Sequence, residues 1–245
     1  MRFTKPWTFG AVRACLAAVM PWPTARLVGR YAHQGTTVYM LTQLPEGTRR
    51  KVGYDDSGWT TYERRSAEQI KKVYLYQAKW ELVLDLGSGA GESRGWPLDP
   101  NGFDELIESK QFTNGADKDS VKVLYRKMSE GQLGNVEMLD FEGIAEPTVK
   151  DMEQLGRCLS LCQHLKLCDL RSVGLTDETC AGLFSTLTQD AHIVKLDLQG
   201  NKLGPMAAKD IAGYVSGNGS LTEVCSCAGV PATLCFSHLP FAVCR

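Results

Sequence analysis

Three carboxylates recur at one position of a repeated pattern. Asp140, Asp169 and Asp197 lie between apolar neighbours in Leu139-Asp140-Phe141, Cys168-Asp169-Leu170 and Leu196-Asp197-Leu198. Carried on adjacent strands, they stack about 4.8 Å apart. Neighbouring carboxylates repel one another until a cation is offered, so this acidic ladder is chemistry for binding a basic or mixed-charge peptide or protein. Met138, Leu167 and Lys195 run along one side of it, and Glu142, Arg171 and Gln199 along the other, so Arg171 and Lys195 partly neutralise it. The plainer account of the same residues is a solvated strand face.

A second set of polar ligands gathers at the C-terminal end, where Cys225, Cys227, Cys235, His238 and Cys244 could offer thiolates and an imidazole to zinc. Structural zinc sites pair their ligands as Cys-x2-4-Cys, and Cys-x-Cys followed by irregular gaps does not fit. No metal site is read from it. His33, His164 and His192 stand alone, without a nucleophile or a ligand set beside them in sequence, and are read as surface or packing residues. The chain shows no catalytic constellation, and no cofactor is expected.

The elements that carry the aspartates follow from self-similarity. Ile193-Val-Lys-Leu196-Asp-Leu198-Gln-Gly-Asn201-Lys-Leu203 repeats Leu165-Lys-Leu-Cys168-Asp-Leu170-Arg-Ser-Val173-Gly-Leu175 at an offset of 28 residues. Val136 to Ile144 fits the same template 29 residues before Leu165, and Leu221-Thr-Glu-Val224 starts a fourth copy that then fails. Strands therefore start near Val136, Leu165, Ile193 and Leu221. Between them, Met152, Leu155 and Leu159, then Cys180, Leu183 and Leu187, then Ala208, Ile211 and Val215 follow helical spacing. A fixed period of this length predicts strand-plus-helix units that bury their apolar edges against one another. With strands inside and helices outside, the expected form is a curved parallel stack of about three complete units.

This pattern resembles the ribonuclease-inhibitor type of leucine-rich repeat, also found in NOD-like receptors and Ran GTPase-activating proteins. The resemblance covers roughly residues 117 to 224. Asn201 matches the family's buried asparagine, whose amide is expected to satisfy backbone groups of neighbouring turns, while Val173 and Ile144 depart from it. It implies a protein-binding scaffold, since such folds serve many partners. By analogy with Ran GTPase-activating proteins, it also implies regulation of a small GTPase as an alternative.

Ahead of the repeats, Thr37 to Leu44 reads as a strand, Trp59 to Val73 as an amphipathic helix capped by Asp56 or Ser57, and Glu81 to Leu86 as a second strand. Trp59, Tyr62, Ile70 and Val73 face inward; Arg64, Arg65, Glu68, Lys71 and Lys72 face water. The unit is βαβ. Trp59-Thr-Thr-Tyr-Glu63 resembles the Trp-x-x-x-Glu helix of Toll/interleukin-receptor (TIR) domains, which implies NAD hydrolysis through Glu63. The plain reading makes Trp59 a core anchor and Glu63 a surface residue. Val83-Leu-Asp-Leu-Gly87-Ser-Gly89-Ala-Gly91 resembles the first motif of class I methyltransferases, where glycines admit S-adenosylmethionine and a helix begins at once. Here Gly95, Pro97 and Pro100 follow and oppose that helix. The stretch is read as a flexible connection.

A short helix is expected at Phe103 to Ser109 with Asn101 as its cap, and a clean amphipathic helix at Asp119 to Met128. The fold class is α/β: a small βαβ-type domain at 24–110, a linker at 111–118, leucine-rich repeats at 119–226 and an irregular Cys-containing tail at 227–245. Residues 1–23 are a leader-like or poorly ordered start whose apolar run, broken by Arg13, is too short to span a bilayer. The 245 residues carry a net charge of −1, with 43% hydrophobic residues, which offers no broad attraction for nucleic acid or anionic lipid. Cys168 and Cys180 on apolar repeat positions point to a reduced, cytoplasmic setting. The expected role is a protein-interaction adaptor.

Overall fold

The computed structural model describes residues 36–43, 46–48, 52–70, 83–85 and 94–225. It is an α/β structure with six helices and two parallel sheets among the described residues. The elements are β1 (Val38–Met40), α1 (Gly58–Glu68), β2 (Val83–Asp85), α2 (Pro100–Glu108), α3 (Asp117–Leu133), β3 (Met138–Asp140), α4 (Val149–Leu159), β4 (Leu165–Asp169), α5 (Asp177–Thr186), β5 (Ile193–Asp197), α6 (Pro205–Gly217) and β6 (Glu223–Cys225).

The larger sheet has the order β3-β4-β5-β6, with a helix in every crossover. Its register joins Met138 to Leu167, Leu165 to Ile193 and Lys195 to Glu223, so strand partners stand 29, 28 and 28 residues apart, the offsets of the sequence pattern. β6 extends to Cys225, one residue past the point where the fourth copy of the sequence pattern fails. Apolar side chains fill the space between sheet and helices: Leu165, Cys168, Leu170 and Leu175 are fully buried, joined by Met152, Leu155 and Leu159 from α4 and Cys180 and Leu183 from α5. Burying each such side chain contributes about 1.5 to 3 kcal/mol.

Polar side chains finish the turns that the apolar layers cannot. Asn201, 8% exposed, accepts from the amides of Gly174 and Leu175 and donates to the carbonyls of Leu170 and Leu198. Asn218, after α6, does the same work: it donates to the Gln189 and Ala191 carbonyls and accepts from the amides of Ser220 and Leu221. Thr148 with Asp151, and Thr176 with Thr179, form capping boxes at α4 and α5. Asp177 reaches on to the Gly204 amide at the start of α6. Gly143 and Gly200 have positive φ, and Ser172, at the equivalent place between them, adopts φ 54°.

β1 and β2 pair in parallel, Val38 with Val83 and Met40 with Asp85, and Ala67 of α1 packs on Met40 and Val83. Val73, Lys71, Lys72, Gly87 to Gly91, the leader-like start and the tail from 226 onward lie outside the described residues. α1 begins after Ser57, whose side chain makes no capping bond; its first amide, Gly58, donates to the Gln111 carbonyl and the Gln111 amide donates to Asp56. Gly58 is required there, because a Cβ would collide with the Phe112 ring. α1, α2 and α3 share a second core of Tyr62, Phe103, Ile107, Val121, Tyr125 and Met128, with Phe103 stacked on Tyr125.

Three local readings change. Glu68 does not face water: it is fully buried, and its carboxylate is held by Arg64 Nε at 3.1 Å and Arg65 Nη1 at 2.9 Å. α2 is capped by Asp99 rather than Asn101, with Pro100 at the first helical position, where its missing N–H costs nothing. α3 starts at Asp117, inside the expected linker, because Trp59 Nε1 binds Asp117 at 2.9 Å and α3 packs on α1.

Arg94–Asp99, at the end of the stretch read as a flexible connection, is instead packed between the two cores. Arg94, 2% exposed, donates to the carbonyls of Glu68 and Gln69 at the end of α1 and of Asp140 at the end of β3. Its guanidinium also lies 4.7 Å from the Phe141 ring centre, and Trp96 stacks on the same ring while donating to the Ala145 carbonyl. Asp99 is bound by Arg157 of α4.

Candidate functional site

The strand register places Asp140, Asp169 and Asp197 side by side, and puts Cys225 in the fourth place of that row. Each aspartate ends its strand in the same way. Its Oδ1 accepts from the amide two residues on: Glu142 at 3.0 Å, Arg171 at 3.1 Å and Gln199 at 3.2 Å. An aspartate that bonds its own backbone two residues on closes a turn, which is a structural reason for this residue at the end of each of these three strands. Asp169 and Asp197 are only 4% and 8% exposed, so the ladder is not the fully solvated row that the pattern alone suggests; Asp140 is half-buried.

Arg171 sits over the middle of the row. Its Nε lies 2.9 and 3.0 Å from the two oxygens of Asp169, and its terminal nitrogen 2.6 Å from Asp169 Oδ2. The same side chain reaches Asp197 at 3.8 Å and Glu142 at 4.0 Å. The hydrogen bonds to Asp169 raise the guanidinium above its ordinary pKa, and the charges of Asp169, Asp197 and Glu142 act in the same direction. The Arg171 side chain is nevertheless 44% exposed.

Lys195 forms its ion pair outside the aspartate row, and the Asp197 charge acts on it from within the row. It pairs across the strands with Glu223 at 2.6 Å, and that bond raises its pKa. Met138 and Leu167, its neighbours in register, are half-buried, giving an apolar ledge beside the carboxylates. A further cross-strand pair joins Lys166 to Glu137 at 2.9 Å, across the same 29-residue offset as the strand register. Gln199 is half-buried at the end of β5, and its carbonyl accepts from the Ser172 amide. The face thus carries six carboxylates, from Glu137, Asp140, Glu142, Asp169, Asp197 and Glu223, against three cations, Lys166, Arg171 and Lys195.

Glu63 lies elsewhere, half-buried on α1. It faces Tyr54 and Tyr62, whose hydroxyls are pushed up chiefly by burial and further by the Glu63 charge, Tyr62 to about 12. A shallow groove of about 610 Å³ opens between α2 and α4, lined by Asn101, Glu105, Val149, Lys150, Glu153 and Arg157, and Glu63 is not among its walls. The glycines that would complete a cofactor site lie outside the described residues.

Among the described residues no group of three or more His, Cys, Asp or Glu side chains is placed to hold a metal ion. Cys158, Cys162, Cys168, Cys180 and Cys225 are free and buried. Burial pushes the thiols of Cys162 and Cys180 up to about 12, so they are not nucleophiles at neutral pH. No described helix is long and apolar enough to cross a membrane. The chain matches no family model and no curated protein among those compared.

Proposed function

We propose that residues 117–225 form a short solenoid of ribonuclease-inhibitor-type leucine-rich repeats, and that the protein acts as an adaptor that presents its strand face to a protein partner. The observation that carries this reading is the in-register parallel stack itself. At offsets of 29, 28 and 28 residues, every buried position meets its counterpart, and the residues between them align as rows on one face. Asn201, bonded to two adjacent turns, supports the repeat assignment. The face offers charge and a partly apolar ledge, which suits recognition of a protein surface.

The test is comparative capture with the full chain. Glu137→Lys with Glu142→Lys alters two exposed positions of the strand face, and Glu178→Lys with Lys209→Glu alters exposed helix positions. A partner lost with the first pair and retained with the second supports the adaptor reading. A partner that is retained by the first pair and lost with the second overturns it.

A further inference from the structure

The strand face is not charge-balanced, and the way it is unbalanced narrows the partner. Three cations meet six carboxylates, and two of the three, Lys166 and Lys195, are each bound to a glutamate in the outer rows. Asp169, Asp197 and Glu142 share Arg171, while the charge of Lys195 also acts on Asp197 and that of the buried Arg94 on Asp140. Asp169 and Asp197 are nearly removed from water, where a charge interaction is stronger than at the surface. Arg171 itself is the most exposed member of this group after Glu142, at 44% and 58%. It hangs on a side chain with several rotatable bonds, and only its contacts with Asp169 are at hydrogen-bond distance. Beside it, Met138 and Leu167 provide the apolar surface along which the methylene stem of an arginine or lysine lies.

We propose that the partner is an extended basic segment, and that Arg171 is a built-in occupant of the place its guanidinium takes. The proposal rests on the adaptor reading given above and specifies its ligand. In the free protein Arg171 shields the row. On binding, an arginine of the partner takes over the contact to Asp169 and reaches Asp197, while Arg171 turns outward toward Glu142. A fork-shaped guanidinium fits paired carboxylate oxygens better than an ammonium does, so arginine is preferred to lysine. Displacing an internal cation lowers affinity, and removing that cation restores it.

The test uses three fluorescently labelled nonapeptides, with Arg, Lys or Glu at alternate positions and Leu or Ser between, titrated by anisotropy against the full chain at low and at physiological salt. The Arg peptide binds more tightly than the Lys peptide, the Glu peptide does not bind, and affinity falls with salt. Arg171→Gln tightens the Arg peptide by about tenfold, the factor of one charge contact worth RT ln 10. Glu142→Gln, at an exposed position with no part in the core, weakens it several-fold and provides the second reading if Arg171→Gln lowers the melting temperature. Unchanged or weaker binding by a folded Arg171→Gln, or unchanged binding by Glu142→Gln, overturns the proposal. Either result leaves the adaptor reading standing if the capture experiment still maps to the strand face, so the two fail separately.

Discussion

The two halves of the molecule are held together by different means. From β3 onward, one layer of apolar side chains recurs with the strands, and most buried polar groups finish turns or caps, as at Asn201 and Asn218. In the region built by α1, α2, α3 and Arg94–Asp99, charged and polar groups are buried outright: Glu68 between Arg64 and Arg65, Arg94 across three carbonyls, and Gln69 against the Tyr125 hydroxyl at 2.7 Å. An apolar layer is tolerant, because substitutions that keep its volume and patterning cost little. A buried charge network depends on every member, since removing one strands the others. The strand stack ends against this network at Phe141, so the less tolerant half closes the more tolerant one.

Substitutions separate the two. Arg94→Ala is expected to have the largest effect, a loss of about 4 kcal/mol, because it strips a fully buried cation from the Glu68, Gln69 and Asp140 carbonyls at once. Urea unfolding measures it; a loss below about 1 kcal/mol would mean that the two cores do not depend on this residue. Asn201→Ala removes four hydrogen bonds inside the stack and is expected to cost about 3 kcal/mol. Its transition should keep the Tyr62–Phe103–Tyr125 aromatic signal in near-ultraviolet dichroism until later than the Arg94 variant does.

Gly156→Ala comes next, at about 2 kcal/mol, since a methyl there would meet the Leu183 carbonyl oxygen at 2.5 Å and force α4 from α5. In the other direction, Ser172→Gly relieves a left-handed backbone and is expected to stabilise by about 0.5 to 1 kcal/mol, read as a raised urea midpoint. The smallest effect near neutrality is that of pH. The thiols of Cys162 and Cys180, ordinarily near 9, and the Tyr62 hydroxyl, ordinarily near 10, are each pushed up to about 12 by burial. They hold their protons more tightly when folded, so their contribution is complete below about pH 9 and is lost as pH rises towards 12. Unfolding midpoints that stay level between pH 9 and 11 would contradict this.

What could be read from sequence follows the same division. Leu165, Leu196 and Val224 announce themselves through a fixed period, and a period fixes which residues become strand partners; the aspartate row followed without any structure. The period says nothing about exposure, and Asp169 and Asp197 are sheltered by Arg171, a contact between side chains that no spacing rule contains. In the first half, the α1 helix was legible from its apolar side, whereas Glu68 looked like a surface residue because its partners Arg64 and Arg65 lie on the same helix in an ordinary salt-bridge spacing. Arg94 was unreadable: its acceptors are backbone carbonyls 25, 26 and 46 residues away, which leave no mark on side-chain pattern. Pro97 and Pro100 looked like linker residues, yet the chain from Arg94 to Asp99 is mostly buried and is followed by a helix that uses Pro100 as its first residue.

In the proposed adaptor the strand face, rather than the helices or the first core, meets the partner. Carbodiimide footprinting of carboxylates in the captured complex tests it most directly. Glu137, Asp140 and Glu142 are expected to lose reactivity on complex formation while the exposed helix carboxylates Glu130 and Glu178 keep theirs. Protection of Glu130 or Glu178 with Glu137 and Glu142 unchanged would contradict it.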